Sequence, residues 1–337
     1  MFTYFFKKED FTSEKKVILQ NEHFTIETFR YASGIEAVNM INSKGHVTIL
    51  PYYGQMIWDV VFNGKSLTMD HMFKQPKKGK EVVDTYGCFA FHSGLLANGC
   101  PSAEDTHALH GEFPCADMDT SYLTFTDDAV TIHSMYEYVK GFGEHYEAHP
   151  HVTLEKACTQ LEISLEVENL SNYQPMPLQY MCHMNYAYVE GAKMTQNIPD
   201  EAFRLRTSIP DHVKPTAEWT QYMKELDESG EMIRELTRPD MYDPEICFFG
   251  EQLHDYVDQA NFEMETADET FFIQFDPTEF PYSTRWLLHN ADQKVAAFSL
   301  PGTCLPEGHL AAKEAGSLIL LKPHEKRSFT VVTGIKS

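Results

Sequence analysis

Leu161-Glu162-Ile163-Ser164-Leu165-Glu166-Val167-Glu168 alternates apolar and polar residues at every step. A strand returns to the same face every second residue, so this run presents one apolar and one largely charged side. It predicts a half-buried β-strand. Working outward, the same period recurs at residues 23–29 and 130–138. Residues 294–300, 317–321 and 328–333 read as further strands. Asn, Gly, Asp and Pro separate these runs at short intervals. Many short strands spaced by turns imply a sandwich or barrel. One helix is expected within residues 216–234, with Asp227-Glu228-Ser229-Gly230 interrupting it. The polar region 211–244 reads as a lid or surface excursion. Without a repeat, a low-complexity tract or a convincing linker, residues 1–337 are expected to form one domain.

Asp and Glu number 50 against 27 Lys and Arg, a formal net charge of −23. Phosphate recognition needs a basic footprint, so a nucleic-acid partner is not expected. An anionic membrane surface is disfavoured for the same reason. The opening Met1-Phe2-Thr3-Tyr4-Phe5-Phe6-Lys7-Lys8 does not have the form of a secretory signal, because its basic residues follow the apolar ones. No run is long and apolar enough to span a bilayer. The 7 cysteines are scattered and form no CxxC pair. They read as free thiols in a reducing, cytoplasmic setting.

Two polar islands carry the chemistry. One is Phe91-His92-Ser93-Gly94-Leu95-Leu96-Ala97-Asn98-Gly99-Cys100, followed by Leu109-His110-Gly111-Glu112. The other is Tyr180-Met181-Cys182-His183-Met184-Asn185-Tyr186. His110 precedes a glycine, which lets backbone approach closely and an imidazole turn into a cavity. If residues 178–188 form a strand, His183 and Asn185 share one face. Two histidines and an amide among aromatic residues suit a sugar pocket with acid/base work.

In their order, these islands resemble the aldose 1-epimerase (galactose mutarotase-like) superfamily, most closely its DUF4432 branch. The closing segment agrees: Trp286, then Val295 to Thr303, Glu307-Gly308-His309, and Leu321-Lys322-Pro323-His324-Glu325. The resemblance implies an all-β galactose mutarotase-like β-supersandwich with few short helices. It also implies interconversion of the anomers of a free sugar, without a cofactor. In that chemistry a carboxylate takes the anomeric hydroxyl proton and a histidine protonates the ring oxygen. The ring opens, and reclosure gives the other anomer. By motif, His183 matches the acid and His110 the second histidine, with Asn185 beside the acid.

The base departs from the pattern. Aligning Pro301-Gly302-Thr303 with the family's triplet puts Leu300 where a glutamate stands. A shifted alignment offers Glu307. Glu112 stands where the branch usually has arginine, which argues against an anionic sugar and makes Glu112 a hydroxyl partner or substitute base. Trp286 is expected to stack on the sugar, with Arg285, Asn98 and Asp59 as hydroxyl partners. Trp58, Tyr86, Phe91, Tyr186 and Trp219 are further stacking candidates. The expected partner is a neutral monosaccharide; a homodimer is left open.

Two other readings stand beside this one. A carbohydrate-binding or sensing protein that lost the chemistry fits Leu300. A cupin-like metal-dependent isomerase fits His149, His151 and Glu155, although Pro150 between the histidines suits only an edge strand. His107-x-x-His110 lacks a partner pair for a metal site. No Gly-x-Ser-x-Gly frame or phosphate loop occurs.

Overall fold

The computed structural model describes residues 2–336; Met1 and Ser337, the two ends of the expected single domain, lie outside them. Two large antiparallel sheets hold the strands of the described residues. The smaller has nine strands in the order Phe2–Phe5, Thr120–Phe125, Ala129–Val139, His145–Glu155, Gln160–Asn169, Lys326–Ile335, Thr270–Phe275, Ala260–Glu265 and Lys193–Gln196. The larger has thirteen. Its main path runs Phe203–Leu205, Ile246–Gly250, Tyr282–His289, Lys294–Gly302, Met176–Met184, Ala90–Leu95, Ile57–Phe62, Gly45–Ile49, Glu36–Asn42, Thr25–Arg30 and Lys16–Gln20.

The decisive run lies in Gln160–Asn169, where Leu161, Ile163, Leu165 and Val167 are buried. Glu162, Glu166 and Glu168 stay at least partly exposed. Each fully buried aliphatic side chain contributes roughly 1.5–3 kcal/mol. One hydrophobic core extends from Phe6 to Ile335 and draws on both sheets. Among the described residues the two α-helices are Ala217–Ser229 and His309–Glu314. Thr216 caps the first, its hydroxyl accepting the Trp219 N–H at 3.1 Å. Gly230, at φ +67°, ends it within the predicted interruption.

Pro150 corrects an expectation. It lies in an interior strand, with neighbours on both sides. Proline cannot donate to the ladder, and pairing to Ala129–Val139 lapses between His133↔His151 and Tyr136↔Ala148. The Gln55 side chain fills the gap. Its Nε2 donates to Pro150 O at 2.7 Å, Ser134 Oγ at 3.1 Å and Ile132 O at 3.2 Å. A buried amide therefore replaces the missing rung.

No helix among the described residues is long and apolar enough to cross a membrane.

Candidate active site

The site lies on the face of the larger sheet opposite the shared core. Along Met176–Met184, Cys182 and Met184 join the core, while His183 sits between them in sequence and faces the other way. Along Tyr282–His289, Thr284, Trp286 and Leu288 line a cavity of about 410 Å³. His110, His183, Tyr86, Glu245, Arg206 and Leu300 line it too. Its size suits a small ligand, with mostly apolar walls and a few convergent polar groups.

His183 pairs across the strands with Phe91 and stacks on its ring, with centroids 4.5 Å apart and planes at 15°. The His110 ring meets it edge-on at 4.9 Å, and Trp286 at 5.5 Å. The Tyr86 hydroxyl and His183 Nε2 are hydrogen-bonded at 3.1 Å. Burial pulls the His183 pKa down to about 3, against a small opposing effect of the Asn185 amide. The resting imidazole is therefore neutral at pH 7.

His110 stands at φ +63° and Gly111 at φ +80°. Histidine tolerates this left-handed region better than most residues. A side chain on Gly111 would collide with the carbonyls of Gly94 and Ala97, so the glycine is needed there. Ser93 Oγ donates to Asn98 Oδ1 and lies 3.0 Å from His110 Nδ1. A hydroxyl has one proton, so Ser93 accepts from Nδ1–H. This fixes the neutral tautomer and leaves His110 Nε2 as an acceptor. Burial, followed by His183, pushes the His110 pKa well below its ordinary value.

Glu245 opens the strand Ile246–Gly250 and brings a carboxylate into the cavity. Its Oε2 accepts the Trp286 indole N–H at 2.8 Å, and its Oε1 accepts from Arg206 Nη1 at 3.3 Å. The Trp219 indole N–H holds the Glu245 carbonyl at 2.9 Å. The 211–244 excursion thus reaches the site, contributing His212, Asp243 and Pro244 to its lining. Residue reading missed Glu245 and Arg206. The available signal was a carboxylate directly ahead of the apolar run Ile246-Cys247-Phe248-Phe249.

The family described as "Domain of unknown function (DUF4432)" matches residues 32–335. The chain belongs to the DUF4432 family. Its fold is galactose mutarotase-like. A candidate aldose 1-epimerase from Klebsiella pneumoniae subsp. pneumoniae superposes with TM-score 0.79 at 14% identity, covering 99% of this chain and 91% of that one. A galactose mutarotase-like protein from Clostridium acetobutylicum gives 0.63 at 15% identity, covering 94% and 100%. A galactose 1-epimerase from Lactobacillus acidophilus gives 0.56 at 11% identity, covering 96% and 98%. No curated protein sequence matches the chain.

Within this DUF4432 protein, His110, His183, Trp286 and the stacking candidate Tyr86 meet in one cavity, and Glu307, Arg285, Glu112, Asn98 and Asn185 do not line it. Glu307 does not face the cavity. It accepts from Arg206 Nε at 3.1 Å and from the Ser208 hydroxyl. Arg285 points the other way from Trp286, as alternation along a strand requires. It donates to Ile233 O at 2.8 Å and to Gln196 Oε1, on the smaller sheet, at 3.0 Å. Glu112 lies half-buried behind the site. It accepts the Leu95 and Leu96 amides at 3.0 and 3.1 Å and the Tyr146 hydroxyl at 2.8 Å.

Asn98 is buried and serves Ser93. Asn185 falls one residue beyond its strand, where its Nδ2 donates to Cys88 O at 2.9 Å. Leu300 does line the cavity, with an alkyl chain where the resemblance led to a carboxylate.

The cupin-like arrangement is not formed. His149 Nε2 pairs with Glu147 at 2.6 Å and Glu155 is exposed. No group of three or more His, Cys, Asp or Glu among the described residues is placed to hold a metal. Tyr186 is buried in the core and Trp219 binds backbone, which removes both from the stacking candidates.

Proposed function

We propose that this DUF4432 protein binds a neutral free sugar in the cavity and interconverts its anomers by ring opening. The observation that carries this reading is the convergence of His110, His183 and the Glu245 carboxylate on one space of about 410 Å³. Glu245 takes the proton from the anomeric hydroxyl. The ring oxygen receives a proton from the imidazolium form of His183, the minor form at pH 7, directly or by relay through the Tyr86 hydroxyl bonded to it, and the neutral imidazole is left. The C1–O5 bond breaks as the carbonyl forms, C1–C2 rotates, and the reverse transfers close the other anomer. Acid and base placed at opposite oxygens supply typically 10²–10⁴-fold. Trp286 offers an apolar face to the ring, and His110 Nε2 accepts a hydroxyl.

Neutral substrates fit the charge balance. Arg206 lies between two carboxylates, Glu245 and Glu307, and already donates to both. It is not a vacant cation for a phosphate. The seven cysteines are all unpaired, which agrees with a reducing cytoplasmic setting.

A second reading is sugar binding without exchange. Leu300 in the lining and the low basicity of His183 favour it. Saturation-transfer NMR on a panel of neutral aldoses separates the two. The enzymatic reading expects exchange above buffer for at least one sugar, lost in Glu245→Gln. Binding of a sugar with exchange at the buffer rate for the whole panel establishes the second reading instead.

A further inference from the structure

The same sheet carries another hollow, of about 580 Å³, lined by Phe29, Tyr31, Trp58, Asp59, His71 and Asn39 among others. It is built on strands Thr25–Arg30, Glu36–Asn42, Gly45–Ile49 and Ile57–Phe62, next along the sheet from the two that carry Phe91 and His183. The order of strands places His183, Phe91 and then Asp59 on consecutive neighbours. Two interstrand steps are about 10 Å, and because Ile57 pairs with Ala90, Asp59 also lies about three residues, roughly 10 Å, further along its strand than the level of Phe91.

The floor of this hollow is a polar row that crosses strands. Glu27 pairs with Asn39, Asn39 with Thr48, and Thr48 with Asp59. Asn39 Nδ2 donates to Glu27 at 3.1 Å, and Thr48 Oγ1 donates to Asn39 Oδ1 at 2.8 Å. At the end of the row, Asp59 accepts from Thr68 Oγ1 at 3.0 Å and lies 3.3 Å from His46 Nε2. Burial raises the Asp59 pKa, but the bonds to His46 and Thr68 outweigh it and hold the carboxyl below its ordinary range. It is an ionised acceptor set among fixed hydroxyl and amide groups.

One wall is aromatic. The His71 ring meets Trp58 edge-on at 5.7 Å. His71 Nδ1 accepts the Phe73 amide at 3.1 Å, so its neutral form carries the proton on Nε2 and offers a donor there. The two hollows also share a divider. Met69, Asp70 and His71 line the second, while Met72 and Phe73 line the first. A single apolar cluster contains Trp58 and Phe91, with Phe29, Tyr31, Phe73 and Tyr86 packed against it.

We infer that the second hollow is a subsite for a further sugar ring, so that the preferred ligand is a neutral disaccharide or longer glycan rather than a monosaccharide. Acceptors, donors and an aromatic wall are what a ring with hydroxyls at its edge and C–H groups on its face requires. The two hollows adjoin on one sheet: His71 lines one and Met72 and Phe73, the next residues, line the other. This rests on the sugar-binding reading of that cavity.

The test is calorimetric titration of neutral monosaccharides and of disaccharides containing them, with wild type, Asp59→Asn and Trp58→Ala. Asp59→Asn is nearly isosteric and guards against loss of fold in Trp58→Ala. The expected result is at least tenfold tighter binding of one disaccharide than of its component sugars. Both variants should remove that gain while monosaccharide affinity stays within about twofold. Monosaccharide binding with no disaccharide gain, or a gain that Asp59→Asn leaves intact, overturns the subsite alone. Absence of binding by every sugar overturns the cavity reading and the subsite together.

Discussion

The Trp286 indole N–H donates to Glu245 Oε2 at 2.8 Å while the same ring meets His183 edge-on at 5.5 Å. One side chain therefore sets the carboxylate and walls the imidazole. Trp286→Phe keeps the wall and removes the donor. Exchange should fall about tenfold or more, with sugar affinity changed by less than about threefold, because a misaimed base costs rate rather than binding. Kinetics beside calorimetry check it; equal losses in both would assign Trp286 to binding alone.

Glu245→Gln and Glu307→Gln form a matched pair. Both carboxylates contact Arg206, but only Glu245 lines the cavity. The first substitution should lower exchange by about 10² or more, the second by less than about threefold. The reverse order would restore Glu307 as the base.

Arg206 is buried between those carboxylates, and its pKa stays above the ordinary value despite burial. Arg206→Met leaves two acids facing each other without a cation. Breaking a buried pair this way costs about 3–5 kcal/mol. Urea unfolding should show it, and a loss below 1 kcal/mol would mean the acids are relieved by water.

Acid should weaken the fold. Burial lowers the pKa values of His92 and His183 to about 3 from 6.5, and that of His110 well below 6.5. The unfolded chain binds these protons near pH 6.5 and the folded chain does not. Stability is thus full above pH 6.5 and declines as pH falls toward 3. At pH 5 the loss is about 2 kcal/mol each for His92 and His183, and His110 acts in the same direction. Denaturant unfolding at pH 7.5 and pH 5 measures it; equal stabilities would show that the rings are already solvated. His110 and His183 should contribute no break to the exchange rate near pH 6.5, since neither titrates there.

Glu112→Ala should destabilise by about 1–3 kcal/mol, because it removes the acceptor of the part-buried Leu95 and Leu96 amides and of the Tyr146 hydroxyl. Thermal unfolding reads the loss. Sugar affinity of the protein that remains folded should be unchanged, since Glu112 does not line the cavity.

The sheets were legible because alternation is local. Leu161 to Glu168 declares its two faces with no help from distant residues, and Gly230 ends its helix by backbone geometry alone. His110 and His183 were legible for a related reason: each stands beside residues whose pattern is short and contiguous. Glu245 was not, because its role depends on Trp286 and Arg206, about 40 positions away on either side. Arg285 was misread for want of one fact, the face on which Trp286 lies. Pro150 was misplaced because the Gln55 amide that replaces its rung comes from elsewhere in the chain. Contacts made at long range leave no trace in neighbouring letters.

The cavity floor is laid by interior strands, with His183 paired to Phe91 and Trp286 to Ala297 and Cys247. The groups that meet a molecule there include the side-chain tips of His110, His183, Tyr86, Glu245 and Trp286, so these tips read its identity. Cargo preference in such a vessel can be rewritten by exchanging a few tips, with the weave beneath left intact.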